Sequence, residues 1–136
     1  MTTESYDLRK VGLKVTHPRT RILQLLEQRT PHHHMTAEDI YRVLLDDGEE
    51  IGLATVYRVL TQFEAAGLVL KHNFEGGQAV YEINRGSHHD HMVDMDIGKI
   101  IEFESAEIEA MQHRIAEQHR YVLEEHSLVL YVRKKR

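Results

Sequence analysis

Between residues 53 and 83 the hydrophobic period of the chain changes from helical to two, and few folds accommodate that order. Leu53, Val56, Leu60 and Phe63 step by three, four and three, which places them on one buried helical face. Ala54, Thr55, Arg58 and Gln62 fall largely on the opposite face, which is polar and includes small residues. A face of that kind can approach a base-pair edge. Gly67 stops the helix. Residues 68–74 and 78–83 then read as short strands, with Glu75-Gly76-Gly77 as the turn because glycine tolerates positive φ.

Two more helices precede this unit. Thr16 suits an N-cap, and Pro18 falls near the first turn, where a missing N–H does no harm. Ile22, Leu23, Leu25 and Leu26 follow with helical period. Thr36-Ala37-Glu38-Asp39 resembles a capping box with Asp at its third position. Ile40, Tyr41, Val43, Leu44 and Leu45 give that helix its apolar face, and Gly48 ends it. Three helices followed by a β-hairpin is the order of a winged helix-turn-helix.

From residue 84 onward the composition shifts. Asn84-Arg85-Gly86-Ser87 reads as a linker, 92–96 and 99–103 as strands around Gly98, and Ser105 as the cap of a helix reaching about His119. Residues 121–133 read as one long closing strand. The expected architecture is α+β: a winged helix-turn-helix domain at 1–84, then a small α/β domain at 85–136. The second part is too small to bury much surface alone, so dimerisation is a physical expectation.

The 136 residues include no cysteine, which excludes disulfides and thiolate metal sites, and 11 histidines. A metal site must therefore use imidazole and carboxylate, a donor set suited to Zn, Fe(II), Mn, Co or Ni. The net charge of −5 argues weakly against nucleic acid as a partner, but the distribution matters more. Residues 9–21 carry Arg9, Lys10, Lys14, Arg19 and Arg21 with no acid, and the chain ends Arg133-Lys134-Lys135-Arg136. No apolar run approaches the roughly 20 residues that span a bilayer, and the first twelve residues lack a signal-like segment. No membrane partner is expected, and the expected location is cytoplasmic.

His88-His89-Asp90-His91 is the densest chemistry in the chain. In an extended segment side chains alternate, so His88 and Asp90 point one way and His89 and His91 the other. One short segment can thus give two ligands to each of two sites. Further candidates are His34 before the second helix, Glu82 at the end of the hairpin, Glu102 within an apolar run, and His126 in phase with Leu128, Leu130 and Val132. Taken singly, His126 also suits a hydrogen-bonded core histidine and Glu102 a water-facing edge. His32 and His33 suit a solvated loop. Glu109 and His113 lie one turn apart on a helix, as a metal pair or a solvated face.

Together these residues resemble the ferric uptake regulator family of bacterial metal-dependent repressors, from about Leu8 to the C-terminus. Gly52-Leu-Ala-Thr-Val-Tyr-Arg-Val-Leu-Thr-Gln-Phe-Glu-Ala-Ala-Gly67 is similar to that family's recognition helix almost residue for residue. The tetrad 88–91 and the leading motif Lys14-Val-Thr-His-Pro-Arg19 are its other marks. The resemblance implies a homodimer or tetramer that binds a double-stranded, A/T-rich inverted-repeat operator and represses iron-uptake genes. It places Tyr57 and Arg58 in the major groove, Lys14 in the minor groove, and Arg19 and Thr55 on phosphates. It implies a sensing site of His34, Glu82, His89, His91 and Glu102, and a second site of His88, Asp90, Glu109 and His126. Fe(II) is the implied corepressor, with Zn(II) or Mn(II) as other occupants. Many members bind a structural zinc through Cys-x-x-Cys pairs; here Asp94 and Ile97 stand at the first pair's positions, so that zinc site is absent.

Within the family a zinc- or peroxide-responsive regulator is the nearest rival. Glutamate at both 82 and 102 favours an iron-type sensor, because peroxide sensors tend to use aspartate there. Outside it, a metal-dependent hydrolase would need an open coordination position and a general base, and no HExxH or other catalytic signature is present. The expected protein is not an enzyme. A metal buffer would not need the polar face of the third helix.

Overall fold

The computed structural model describes residues 8–28, 34–74, 77–84 and 89–136. The chain divides into two compact units, Met1–Gly86 and Ser87–Arg136.

The first unit holds α1 (His17–Gln28), α2 (Ala37–Asp46), α3 (Leu53–Ala65) and the antiparallel pair β1 (Val69–His72) and β2 (Val80–Ile83). Thr16 Oγ1 accepts from the Arg19 N–H, and α1 buries Ile22, Leu23, Leu25 and Leu26. The capping box forms: Thr36 Oγ1 accepts from the Asp39 N–H at 3.0 Å and Asp39 Oδ2 from the Thr36 N–H at 3.1 Å. Of the predicted apolar face of α2, Ile40 and Leu44 are buried, but Leu45 is 56% exposed because it falls one position beyond the stripe. In α3, Val56, Val59, Leu60 and Phe63 close the core, and Gly67 follows at φ +80°, where a side chain would be strained. Residues 8–10 add a helical turn ahead of the three predicted helices, and Leu8 is fully buried in the same core. Both hairpin strands are shorter than the alternation suggests. Met35 joins the sheet through Met35 N–H to Tyr81 O at 3.2 Å and Tyr81 N–H to Met35 O at 2.8 Å.

The second unit is a three-stranded sheet of order β4-β3-β5 with one helix. Its elements are β3 (Asp90–Asp94), β4 (Ile100–Phe103), α4 (Ala106–Gln118) and β5 (Val129–Val132). Ser105 caps α4 by accepting from the Ile108 N–H. Strand β3 begins two residues before the expected start, so Asp90 and His91 belong to it. Strand β5 runs parallel to β3 with His91 opposite Val129 and Asp94 opposite Val132. The long strand expected at 121–133 is therefore confined to Val129–Val132: β3 pairs with these four residues, and 121–128 carry no regular structure. Tyr121 and Val122 are 74% and 90% exposed. Asp94 builds the β3–β4 turn. Its Oδ1 accepts from the Asp96 N–H at 2.8 Å, and its carbonyl accepts from the N–H of Gly98 at 2.7 Å. Among the described residues of this unit Val93 is the one buried apolar side chain, so it lacks a self-sufficient core.

Candidate metal and nucleic-acid sites

The outer face of α3 is the candidate DNA surface. Val56, Leu60 and Phe63 anchor the helix from below, which leaves Ala54, Tyr57 and Arg58 exposed and Thr55 partly so. Thr55 Oγ1 accepts from Arg58 Nη2 at 3.4 Å, and the Tyr57 hydroxyl donates to Glu38 Oε1 at 2.6 Å. That hydrogen bond, followed by desolvation, raises the Tyr57 hydroxyl pKa above its ordinary value. Lys14 is exposed ahead of α1. Arg19 braces this region: Nε and Nη2 donate to Gln62 Oε1 at 3.2 and 3.0 Å, and Nη1 donates to the Lys14 carbonyl at 2.8 Å. One guanidinium thus ties the segment carrying Lys14 to α3. Nearby, Glu49 accepts from His17 at 2.6 Å and from Arg21 at 3.0 Å, and Arg21 also reaches Asp47 at 3.2 Å. The His17 hydrogen bond is the largest of the effects that lower the Glu49 pKa.

In the first unit the Met35–Tyr81 bridge explains one imidazole–carboxylate pair. His34 precedes Met35 and Glu82 follows Tyr81, so antiparallel pairing sets them opposite each other. His34 Nε2 contacts Glu82 Oε2, and both side chains are almost wholly buried. His72, which sequence reasoning did not single out, lies 3.4 Å from Glu82 Oε1 and stacks on Phe74 with centroids 5.4 Å apart. The period of β1 carried the signal: Leu70 is the register partner of Glu82, and His72 is two residues further along the same face.

The second unit builds another such group from register. His91 and Glu102 are direct partners across β3 and β4. His89 Nε2 lies 3.1 Å from Glu102 Oε1, and the His89 and His91 rings meet edge to face with centroids 4.8 Å apart. Donor atoms of His89, His91 and Glu102 all fall within 4.8 Å of one another. Asp90, on the other parity, is buried, and its Oδ1 lies 3.9 Å from His126 Nδ1. Glu109 sits exposed in the first turn of α4. His88, with His32 and His33, lies outside the described residues.

Buried imidazole nitrogen beside carboxylate oxygen is a donor set that a borderline divalent cation satisfies, and it neutralises acid that would otherwise be costly to bury. Fold and donor groups together define a winged-helix regulator that carries ligands of metal-binding type. Comparison with known proteins is specific. The sequence profile of the ferric uptake regulator family matches residues 10–131. A ferric uptake regulation protein of Pseudomonas aeruginosa is 58% identical over 133 residues, covering 98% of this chain and 98% of that one. The solved structure of the Pseudomonas aeruginosa ferric uptake regulator with manganese aligns with TM-score 0.84 at 56% identity, covering 99% of this chain and 100% of that chain. The Francisella tularensis regulator with iron aligns with TM-score 0.86 at 41% identity, covering 91% and 93%. The chain belongs to the ferric uptake regulator family, whose members are metal-dependent, DNA-binding transcriptional repressors, and it has the α+β fold of that family.

Proposed function

We propose that this protein is an iron-responsive repressor of iron-uptake genes that acts as a cytoplasmic homodimer on an A/T-rich inverted repeat. Residues 1–84 bind DNA, and 85–136 dimerise and contribute to metal binding. The observation that carries this reading is the pair of buried imidazole–carboxylate groups made by strand register, His34 with Glu82 and His91 with Glu102. His34, Glu82, His89, His91 and Glu102 hold the sensed ion, and His88, Asp90, Glu109 and His126 hold a second. Fe(II) is the physiological corepressor, and Zn(II) or Mn(II) can enter the same nitrogen and oxygen donors.

When bound, the ion supplies positive charge that neutralises the buried carboxylates. The protein's own residues do the rest. Tyr57 and Arg58 approach the major groove, Lys14 the minor groove, and Arg19 and Thr55 the phosphates. Because the proposed ligands come from both units, metal affinity and DNA affinity are thermodynamically linked, and each ligand tightens the other by the same factor. The exposed Met111, Ile115, Tyr121 and Val122, beside a unit with little core of its own, support dimerisation. The polar face of α3 favours a regulator over a metal buffer or a hydrolase.

The test is anaerobic titration of Fe(II), Mn(II) and Zn(II) against binding to such a repeat, with wild type and His91→Ala. Fe(II)-dependent binding that His91→Ala abolishes supports the proposal. Equal binding in chelator overturns it, and metal-dependent turnover would point to an enzyme.

A further inference from the structure

Glu38 is an acid on a face that should repel acids. It lies in the first turn of α2, and its Oε1 accepts the hydroxyl proton of Tyr57, which stands 43% exposed on α3. Its Oε2 is buried and has no hydrogen-bond partner among the described residues. Desolvation, then the charges of Glu64 and Glu38, raise the pKa of the buried Tyr81 hydroxyl. A carboxylate beside a DNA-reading surface weakens attraction to phosphate for every sequence alike. A compensating role follows from the one proton a phenol carries. Once that proton is given to Glu38, the Tyr57 oxygen can only accept.

Resting on the reading of α3 as the recognition helix, we propose that Glu38 is a positioning residue that sets the base preference of Tyr57. It holds the ring in one orientation and leaves its oxygen as an acceptor. The donors in the major groove are the adenine N6 and cytosine N4 amino groups, whereas guanine N7 and O6 and thymine O4 accept. Each base pair presents one such amino group, so Tyr57 favours adenine or cytosine over guanine or thymine on the strand it faces, and a free tyrosine hydroxyl, able to donate or accept, would not.

The experiment uses the full chain with Fe(II) and an A/T-rich inverted repeat in which each half-site base pair is varied in turn. Wild type should prefer an amino-bearing base at one position per half-site by about 5-fold, the scale of one hydrogen bond. Tyr57→Phe should lose that preference, and Glu38→Met, which is similar in length but offers only a weak thioether acceptor, should lose most of it. Glu38→Gln, whose carbonyl oxygen still accepts, should keep it. Glu38→Met added to Tyr57→Phe should change no preference further. Thermal melting of each variant checks that the fold is intact. Tighter binding of Glu38→Met to all sequences with preferences unchanged would mean that Glu38 acts only as a charge, and would overturn the inference. So would an effect of Glu38→Met on preference that persists without the Tyr57 hydroxyl. If Tyr57→Phe keeps every preference while still binding, Tyr57 does not read a base and the inference falls alone. If wild type does not bind the repeat, the recognition-helix reading itself falls.

Discussion

Replacing Arg19 by lysine separates a brace from a phosphate contact. The substitution keeps the charge and much of the length but loses the planar fork. In the structure that fork makes three hydrogen bonds, two to Gln62 Oε1 and one to the Lys14 carbonyl. A lysine ammonium can satisfy Gln62 or Lys14, but not both with the same geometry. Hydrogen bonds to a charged donor contribute about 1.5–3 kcal/mol when buried, and partial exposure reduces each here to about 1 kcal/mol. The expected loss is about 1–2 kcal/mol, read from urea unfolding of the full chain. The segment carrying Lys14 is then released, and re-ordering even one residue costs about 1–2 kcal/mol, so operator affinity should fall roughly 5- to 30-fold. Because no charge is lost, the slope of log affinity against log salt should not change. Stability within about 0.5 kcal/mol of wild type together with unchanged affinity would refute the bracing role. A reduced salt slope would show that Arg19 meets a phosphate in a way lysine cannot.

Two further outcomes follow from the first unit. Phe63→Ala empties a fully buried position at the centre of the core and should cost about 3–5 kcal/mol in chemical denaturation, enough to leave the unit marginal or unfolded. Glu49 has its pKa lowered from 4.5, first by the His17 hydrogen bond, so its stabilisation is present above pH 4.5 and is lost as pH falls through its folded pKa. In thermal melts Glu49→Gln should be less stable than wild type at neutral pH, with the gap closing in acid.

Much of the first unit was legible because its signals are local. Thr36 with Asp39, Gly67 after a helical stripe, and the shift to a two-residue period each depend on neighbours in sequence. The elements that escaped depend on distant partners. Nothing near Met35 announces that it will pair with Tyr81, yet that bridge sets His34 against Glu82. The extent of β5 is decided by the length of β3, a strand far away in sequence and parallel to it, so apolar alternation alone overestimated the closing strand. The alternation of 89–91 predicted which side chains share a side, and His89 lies beside His91 while Asp90 lies near His126. It could not predict which opposing residue each would meet. Tyr57 bonded to Glu38 required tertiary placement.

The central claim is reciprocal linkage, and one closed thermodynamic cycle tests it most directly. Under anaerobic conditions, Fe(II) affinity is measured with and without saturating operator, and operator affinity with and without saturating Fe(II). The account predicts that both pairs differ by the same factor, about 5- to 150-fold for ordinary coupling, and that His91→Ala brings the factor to one. Tight binding of both ligands with no mutual effect would contradict it, because the metal would then be a passenger on a constitutive DNA-binding protein.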